Sequence, residues 1–225
     1  MSDWEGLPRP ADVRPEALRH AEALKAQFLH ANPEGKATQT EFRETYEHLF
    51  SKDGLAEASP DELKYFANAK GGASPGNMSR FNIEWNRLGS AEAARTVRES
   101  IEYLLYPNDD SSIEDRLTNL IEGRRGLGMK GFRQALLTKV LCMVEPQRFI
   151  PILTYTSKAG KREYAKWVYD LDLPEPAAVS WTIGQLILWS NDLLVQFAGE
   201  GFEHAEHMGE FLWWAKDQDP YEFRS

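Results

Sequence analysis

The chain has one cysteine and no long apolar run, and these two absences exclude several classes of protein. Cys142 has no second cysteine to pair with among the 225 residues, so neither an internal disulfide nor a cysteine-based zinc site can form. Its segment, LTKVLCMV, predicts a buried thiol. No segment approaches the roughly 18 apolar residues that a membrane helix needs, and the N-terminus lacks the pattern of a leader. We therefore expect a cytoplasmic protein without a membrane partner.

The alternation of apolar and polar residues that marks a β-strand is also absent. Apolar residues recur at helical spacing instead, as in Ala94, Val97 and Ile101. The predicted fold is an all-α, multi-helix globular domain. A loop-forming stretch, KGGASPGNMS, predicts a division into an N-terminal helical part (residues 1–77) and a C-terminal helical part (residues 78–225), unless the two form one continuous domain.

Catalytic signatures are missing as well. The chain holds no G-x-x-x-x-G-K-[ST] phosphate loop, so nucleotide hydrolysis is not expected. No set of Ser, His and Asp residues lies in the strand–turn–helix context that a nucleophile elbow requires. The sequence predicts a protein that is not an enzyme and that needs no metal or other cofactor.

Positive charge is scarce overall but concentrated in one segment. The net charge is −9, whereas residues 122 to 166 carry ten basic and three acidic side chains, so the rest of the chain carries −16. A protein with one anion-facing surface on an acidic body has this asymmetry, although folding can also scatter such side chains over several faces.

A glycine-rich turn lies inside this basic segment. Residues 126 to 141 read GLGMKGFRQALLTKVL, between predicted helices over 112–122 and 131–144. Glycine permits backbone conformations closed to other residues at Gly126, Gly128 and Gly131, and the N–H groups at a helix start attract anions. The turn is therefore predicted to grip a DNA phosphate. The alternative is that it is only a tight connection between two antiparallel helices.

Basic side chains around the turn supply the charge for phosphate binding. The predicted phosphate contacts at the turn are Arg124, Arg125, Lys130 and Arg133. A second group follows along the chain and consists of Lys158, Lys161 and Arg162.

The glycine turn followed by lysine resembles a helix-hairpin-helix motif, which contacts DNA phosphates without reading sequence. Helix-hairpin-helix DNA glycosylases are the enzymatic relatives that this resemblance implies, with Lys130 in the place of the lysine that some of them use as nucleophile. Those enzymes also need an aspartate roughly twenty residues beyond the hairpin. The chain has no Asp between Asp115 and Asp170, and Arg148 lies near that position. Lys130 is therefore interpreted as a phosphate contact rather than a catalyst.

A wider resemblance covers the chain from about Ser90 to Lys216. The ordered blocks SIEYLLYPNDDSSIEDRLTNLIEG, GLGMKGFRQALLTKVLCMVEPQRFIPI, GKREYAKWV, SNDLL and FLWWAKDQ look like the helical N-terminal region that precedes the AAA+ motor in McrB-like, modification-dependent restriction proteins. This resemblance implies a targeting module that binds DNA, in some members through a modified base, and that works with an AAA+ motor domain or subunit in phage defence.

Three further groups are candidates for binding. Phe81, Trp85 and Asn86 combine the aromatic and amide side chains that base recognition uses. His204 and His207 lie three residues apart on one helical face, where they form either half of a metal site or a solvated polar face. The neighbours Trp213 and Trp214 cannot both face inward on a helix, so one of them is a candidate for a partner surface.

The function predicted from the sequence is therefore that of a non-catalytic DNA-binding domain of a restriction system, reading a modified base in one version of the hypothesis. The alternative is a helical adaptor that binds a protein through its acidic surface or its C-terminal aromatic residues.

Overall fold

The computed structural model describes residues 7–35 and 37–218, and within them every regular element is a helix. These residues form eleven α-helices and three short 3-10 helices, with no β-strand, as the sequence predicted. The α-helices in chain order are α1 (Pro15–Ala31), α2 (Ala37–Leu49), α3 (Lys52–Glu57), α4 (Pro60–Asn68), α5 (Ser79–Leu88), α6 (Ser90–Leu105), α7 (Ile113–Glu122), α8 (Gln134–Val144), α9 (Lys161–Tyr169), α10 (Ile183–Ala198) and α11 (Ala205–Lys216). None of these helices combines the length and apolar character needed to cross a bilayer.

Side-chain caps fix the start of several helices. At the N-terminus of α4, the Ser59 hydroxyl accepts a hydrogen bond from the Glu62 N–H, and the Glu62 carboxylate accepts one from the Ser59 N–H. Thr182 and Gln185 make the same reciprocal pair at the start of α10. Such caps satisfy N–H groups that have no partner inside the helix, and so they set where each helix begins.

Helices α7 and α10 pack closely against each other, and one glycine permits this approach. A Cβ atom at Gly184 would lie 1.9 Å from the Glu114 carbonyl oxygen, so only glycine fits there. The Gly184 N–H donates a hydrogen bond of 3.0 Å to the Thr118 hydroxyl. Helix α10 is thereby held against the helix that leads into the glycine turn.

One hydrophobic core includes both of the parts into which the sequence divides the chain. It contains residues from Leu7 to Ala215, and α1 packs against α9 and α11 while α2 packs against α8. The Phe28 ring of α1 lies 5.7 Å from the rings of Phe211 and Trp214 in α11. Residues on both sides of the loop at 69–78 therefore bury their apolar surface together.

A lysine is part of this shared core. Lys139 of α8 is fully buried, and its ammonium donates hydrogen bonds of 3.0 and 2.6 Å to the carbonyl oxygens of Phe66 and Ala69 at the end of α4. Its Nζ also lies 5.0 and 4.8 Å from the ring centres of Phe42 and Phe66. A positive charge is favourable at a helix C-terminus and over aromatic faces, so Lys139 joins α8 to α2 and α4.

Candidate nucleic-acid interface

The glycine turn is longer than the sequence predicted. Helix α7 ends at Glu122 as expected, and Gly123 then adopts a left-handed conformation. Helix α8 begins at Gln134 rather than at residue 131, because Phe132 pairs its backbone with Met129 in an isolated antiparallel bridge and is buried. Arg133, with an extended backbone, is the N-cap of α8. Residues 123–133 thus form an irregular connection, and its assignment as a helix-hairpin-helix stays a prediction.

Packing accounts for two of the three glycines that were predicted to meet phosphate. At Gly131 the backbone φ is +86°, and an added Cβ would lie 2.4 Å from the backbone N and Cα of Phe81. At Gly128 it would lie 3.0 Å from the Leu120 carbonyl oxygen. By contrast, a Cβ at Gly126 would meet no atom within 4 Å. The tight-connection interpretation therefore explains Gly128 and Gly131, and Gly126 is the glycine with open space around it.

The four basic residues of the turn differ in how accessible they are. Lys130 is exposed. Arg124 is also exposed, but its guanidinium pairs with Glu122 at 2.6 Å. Arg133 donates a hydrogen bond to the Leu120 carbonyl near the end of α7, and burial lowers the pKa of its partly buried guanidinium. The side chain of Arg125 lies outside the described residues.

The second predicted basic group does not form one exposed surface. Lys158 is exposed, whereas Lys161 is completely buried and donates a hydrogen bond to the Ile152 carbonyl. Burial lowers the pKa of Lys161 to about 8. Arg162 pairs with Glu175 at 2.5 Å and donates to the Leu173 carbonyl at 3.0 Å. The prediction of a phosphate contact at Lys161 is therefore wrong, since its amine is inside the core.

The predicted base-contacting group is divided between two faces of α5. Phe81 and Trp85 are each only 1% exposed, with ring centres 5.4 Å apart, and Phe81 also packs 6.3 Å from Phe132. These two rings cannot stack on a base, and that part of the prediction is wrong. The reason is their spacing of four residues, which forms the apolar stripe by which α5 joins the core. Asn86 lies on the exposed face of the helix.

That exposed face borders a cleft at the glycine turn. The cleft has a volume of about 770 Å³ and lies between α5, the end of α7 and the turn. Its walls consist of Ser79, Arg80, Ile83, Glu84, Ile121, Lys130, Gly131 and Arg133. Three of these side chains are cationic and one is anionic, so the cleft is positively charged. Arg80 and Ile83 were not among the predicted site residues, although a helical projection places them opposite Phe81 and Trp85 and therefore on the outside.

The single carboxylate of the cleft is neutralised by its neighbours. Arg87 donates two hydrogen bonds to Glu84, of 3.0 and 2.7 Å. These hydrogen bonds hold the pKa of Glu84 below its usual value, and the positive charge of Lys130 acts in the same direction. Glu84 therefore stays ionised and paired, and it offers a phosphate less repulsion than an unpaired carboxylate would.

The histidine pair on α11 has structural partners. His204 is the N-cap of α11 and its Nδ1 accepts a hydrogen bond of 3.1 Å from the His207 N–H. His207 is fully buried, with Nε2 3.0 Å from the Asn32 carbonyl oxygen, so the interpretation as a solvated polar face is wrong for this residue. Among the described residues, no group of three or more His, Cys, Asp or Glu side chains is arranged to hold a metal ion.

The tryptophan pair near the C-terminus divides as predicted. Trp213 is 50% exposed, whereas Trp214 is partly buried against the core. Both line a groove of about 440 Å³ between α11, the end of α1 and the loop that follows α4. Trp213 therefore gives the protein-adaptor hypothesis a specific surface.

Comparison with known proteins identifies no family for this chain. No protein-family model matches it, no curated protein matches it, and no solved structure matches it. The resemblance of residues 90–216 to the McrB-like region thus stays a prediction. A functional proposal has to rest on the charges and geometry of the chain's own residues.

Proposed function

We infer that this chain is a DNA-binding domain that holds the phosphate backbone at the cleft beside the glycine turn. The observation that carries the proposal is that Lys130 and Arg80, from two different elements, line the same open cleft together with Arg133. Ammonium and guanidinium groups supply the main attraction between proteins and the DNA backbone. The cleft thus offers a phosphate several cations, with Arg124 on the same turn.

In the proposed biological role, this chain binds DNA and a separate motor hydrolyses nucleotide. The ordered blocks between Ser90 and Lys216 support a targeting module of a McrB-like restriction system, in which an AAA+ motor domain or subunit hydrolyses nucleotide. The module itself is non-catalytic in this proposal. Near the position where a glycosylase would need its aspartate, Arg148 pairs with Asp192 at 3.3 Å, and Lys130 has no catalytic carboxylate from that position.

Fluorescence anisotropy of labelled duplexes tests the proposal. The duplexes carry cytosine, 5-methylcytosine or 5-hydroxymethylcytosine, and binding is measured at about 50 and 200 mM salt. We expect affinity to fall steeply between the two salt concentrations. Lys130→Glu should weaken binding to every duplex and reduce the slope of log affinity against log salt by about 1, because it removes a phosphate contact. A preference for one modified duplex would identify a reader of that base.

The matched control reverses one exposed charge elsewhere. Arg19 of α1 is 71% exposed and pairs with Glu16, so Arg19→Glu makes the same change of net charge far along the chain from the turn. It should leave the salt slope unchanged. The absence of binding to any duplex at 50 mM salt, or equal effects of the two reversals, would contradict the proposal.

Trp213 favours a second candidate function, that of a protein adaptor. Half-exposed tryptophan is uncommon on a surface that meets only water and frequent at the centre of protein interfaces. Binding through such an aromatic surface should tolerate salt, and it should be lost in Trp213→Ala but not in Lys130→Glu. The two variants therefore distinguish the two functions.

A further inference from the structure

Helix α5 presents an exposed face that the core does not use. Phe81 and Trp85 bind the helix to the core, and Arg80, Ile83 and Arg87 lie on the opposite side at positions i, i+3 and i+7. Ile83 is 68% exposed, which is the largest exposure among the large apolar side chains of the described residues. At this exposure Ile83 gains little stability from burial in the folded chain, and its apolar surface is available for contact in a complex.

This face lies directly beside the proposed phosphate site. Arg80 and Ile83 line the same cleft as Lys130, and Gly131 abuts the backbone of Phe81. Lys130 is also close enough to Glu84 of α5 to lower the pKa of that carboxyl. A duplex whose backbone contacts Lys130 therefore has α5 as its next neighbour.

The chemistry of the face favours DNA as its occupant. Arg80 and Arg87 flank Ile83, Asn86 is exposed nearby, and the one carboxylate, Glu84, is paired with Arg87 at 2.7 Å. A helix fits the major groove of B-form DNA, where apolar side chains contact the 5-methyl group of thymine and asparagine pairs with the edge of adenine. With ten residues, α5 is about 15 Å long, enough to cross that groove.

We propose that α5 enters the major groove of bound DNA, with Ile83 against the 5-methyl group of thymine and Asn86 against an adenine edge, while Arg80 and Lys130 hold the adjoining phosphates. This inference rests on the proposed DNA-binding function and adds a reading element to it. The turn supplies affinity through the backbone, and α5 supplies discrimination among bases.

The experiment compares two duplexes that differ only in pyrimidine methyl groups. An A·T-rich duplex is prepared with thymine and again with uracil in every thymine position, and each is titrated by anisotropy with the full chain. The unaltered protein should bind the thymine duplex about fourfold more tightly, which is the effect of burying one methyl group. Ile83→Ala should bind the two duplexes equally, with an unchanged salt slope, because Ile83 carries no charge.

Three further variants make the test specific. Lys130→Glu should weaken binding to both duplexes and keep the preference for thymine. Asn86→Ala should weaken binding to both without changing the salt slope. Trp213→Ala removes an exposed apolar side chain from α11 and should change neither the affinity nor the preference. Thermal melting checks that Ile83→Ala folds, as expected for a residue that is 68% exposed.

The outcomes separate this inference from the function on which it rests. If Lys130→Glu weakens binding but the unaltered protein does not distinguish thymine from uracil, the role of α5 is overturned and the phosphate site stands. If Ile83→Ala keeps the thymine preference, the methyl contact is likewise overturned. If Lys130→Glu has no effect on either duplex, the proposed function itself fails.

Discussion

At the scale of single residues, Arg124 already has an anionic partner within the chain. Glu122 accepts a hydrogen bond of 2.7 Å from the Arg124 Nε, and both side chains are about half exposed. A phosphate has to compete with this carboxylate for the guanidinium. The ion pair should therefore weaken the phosphate contact that is predicted for Arg124.

Glu122→Gln is expected to strengthen DNA binding. The substitution removes one negative charge beside the cleft and releases Arg124, and an exposed ion pair is worth at most about 1 kcal/mol, so the gain should be about two- to fivefold at low salt. Anisotropy at 50 mM salt measures it. Glu16→Gln, which breaks the comparable Arg19 pair on α1, is the control. Equal affinities for Glu122→Gln and the unaltered chain would remove Arg124 from the phosphate contacts.

The buried amine of Lys139 gives a second prediction, for stability against pH. Burial lowers the pKa of Lys139 to about 7, whereas in the unfolded chain it is near 10.4. Between these two values the unfolded state binds more protons than the folded state, so the free energy of unfolding should rise with pH. Lys139→Met should reduce this slope between about pH 7 and 8.5, by up to about 1.4 kcal/mol per pH unit.

Urea denaturation at several pH values measures that slope, and Lys158→Met, which removes an exposed amine, is the matched control. The window stops at pH 8.5 because the pKa of Cys142 is raised by burial to about 12, so its thiol acts with the opposite sign at higher pH. An unchanged slope in Lys139→Met would mean that the amine stays charged in the folded protein, held by the carbonyls of Phe66 and Ala69.

Lysines 139 and 161 also show where a charge count along the sequence stops being informative. Both contribute to the basic segment, and both are buried, with their amines donating to backbone carbonyls. A long side chain can turn inward wherever unpaired carbonyls are available, and those carbonyls come from residues distant in sequence, such as Phe66 for Lys139. The sequence located the charge correctly but could not show which side chains point outward.

At the scale of elements, the contact between the glycine turn and α5 depends on one residue. Gly131 has a φ of +86° and lies against the Phe81 backbone, while Gly126 has a φ of +73° and open space around it. The two glycines thus share the same conformational requirement and differ in packing.

Alanine at each position should therefore have different costs. Gly126→Ala should lower the free energy of unfolding by about 1–2 kcal/mol, the cost of a side chain in the left-handed region. Gly131→Ala should cost about 1–3 kcal/mol more, because its Cβ would force α5 away from the turn. Chemical denaturation of the two variants measures the difference. If the two substitutions lower the free energy of unfolding equally, α5 can move away from the turn at little cost, and it is not a rigid wall of the cleft.

The positions of the helices were predictable from apolar spacing and capping residues. Which side of each helix faces the site was only partly predictable. Ser59 and Glu62 at α4 have the three-residue spacing of a capping box, and α7 ends at Glu122, as predicted. Phe81 and Trp85 were predicted to meet a base and instead face the core. Aromatic side chains suit both roles, and the four-residue spacing of these two already favours the core, where Phe81 packs against Phe132.

At the scale of the whole molecule, the loop at 69–78 does not separate two cores. Phe28 of α1 packs on Phe211 of α11, and Arg14 forms an ion pair with Asp170 at the end of α9. The all-α class followed from the helical spacing in the sequence. Contacts between helices so distant in sequence follow from three-dimensional packing, which single-sequence periodicity does not contain.

The lone cysteine lies within this joint core and has a practical consequence. Cys142 of α8 is 5% exposed, and its thiol donates to the Ile150 carbonyl at 3.4 Å. A thiol reagent reaches the sulfur only when α8 and the segment after it separate, so the rate of chemical labelling measures how often that region opens. The Cys142 thiol therefore reports local opening of α8, the helix that follows the turn where DNA is proposed to bind. If a bound duplex slows the labelling of Cys142, the labelling rate detects DNA at the turn without an engineered probe.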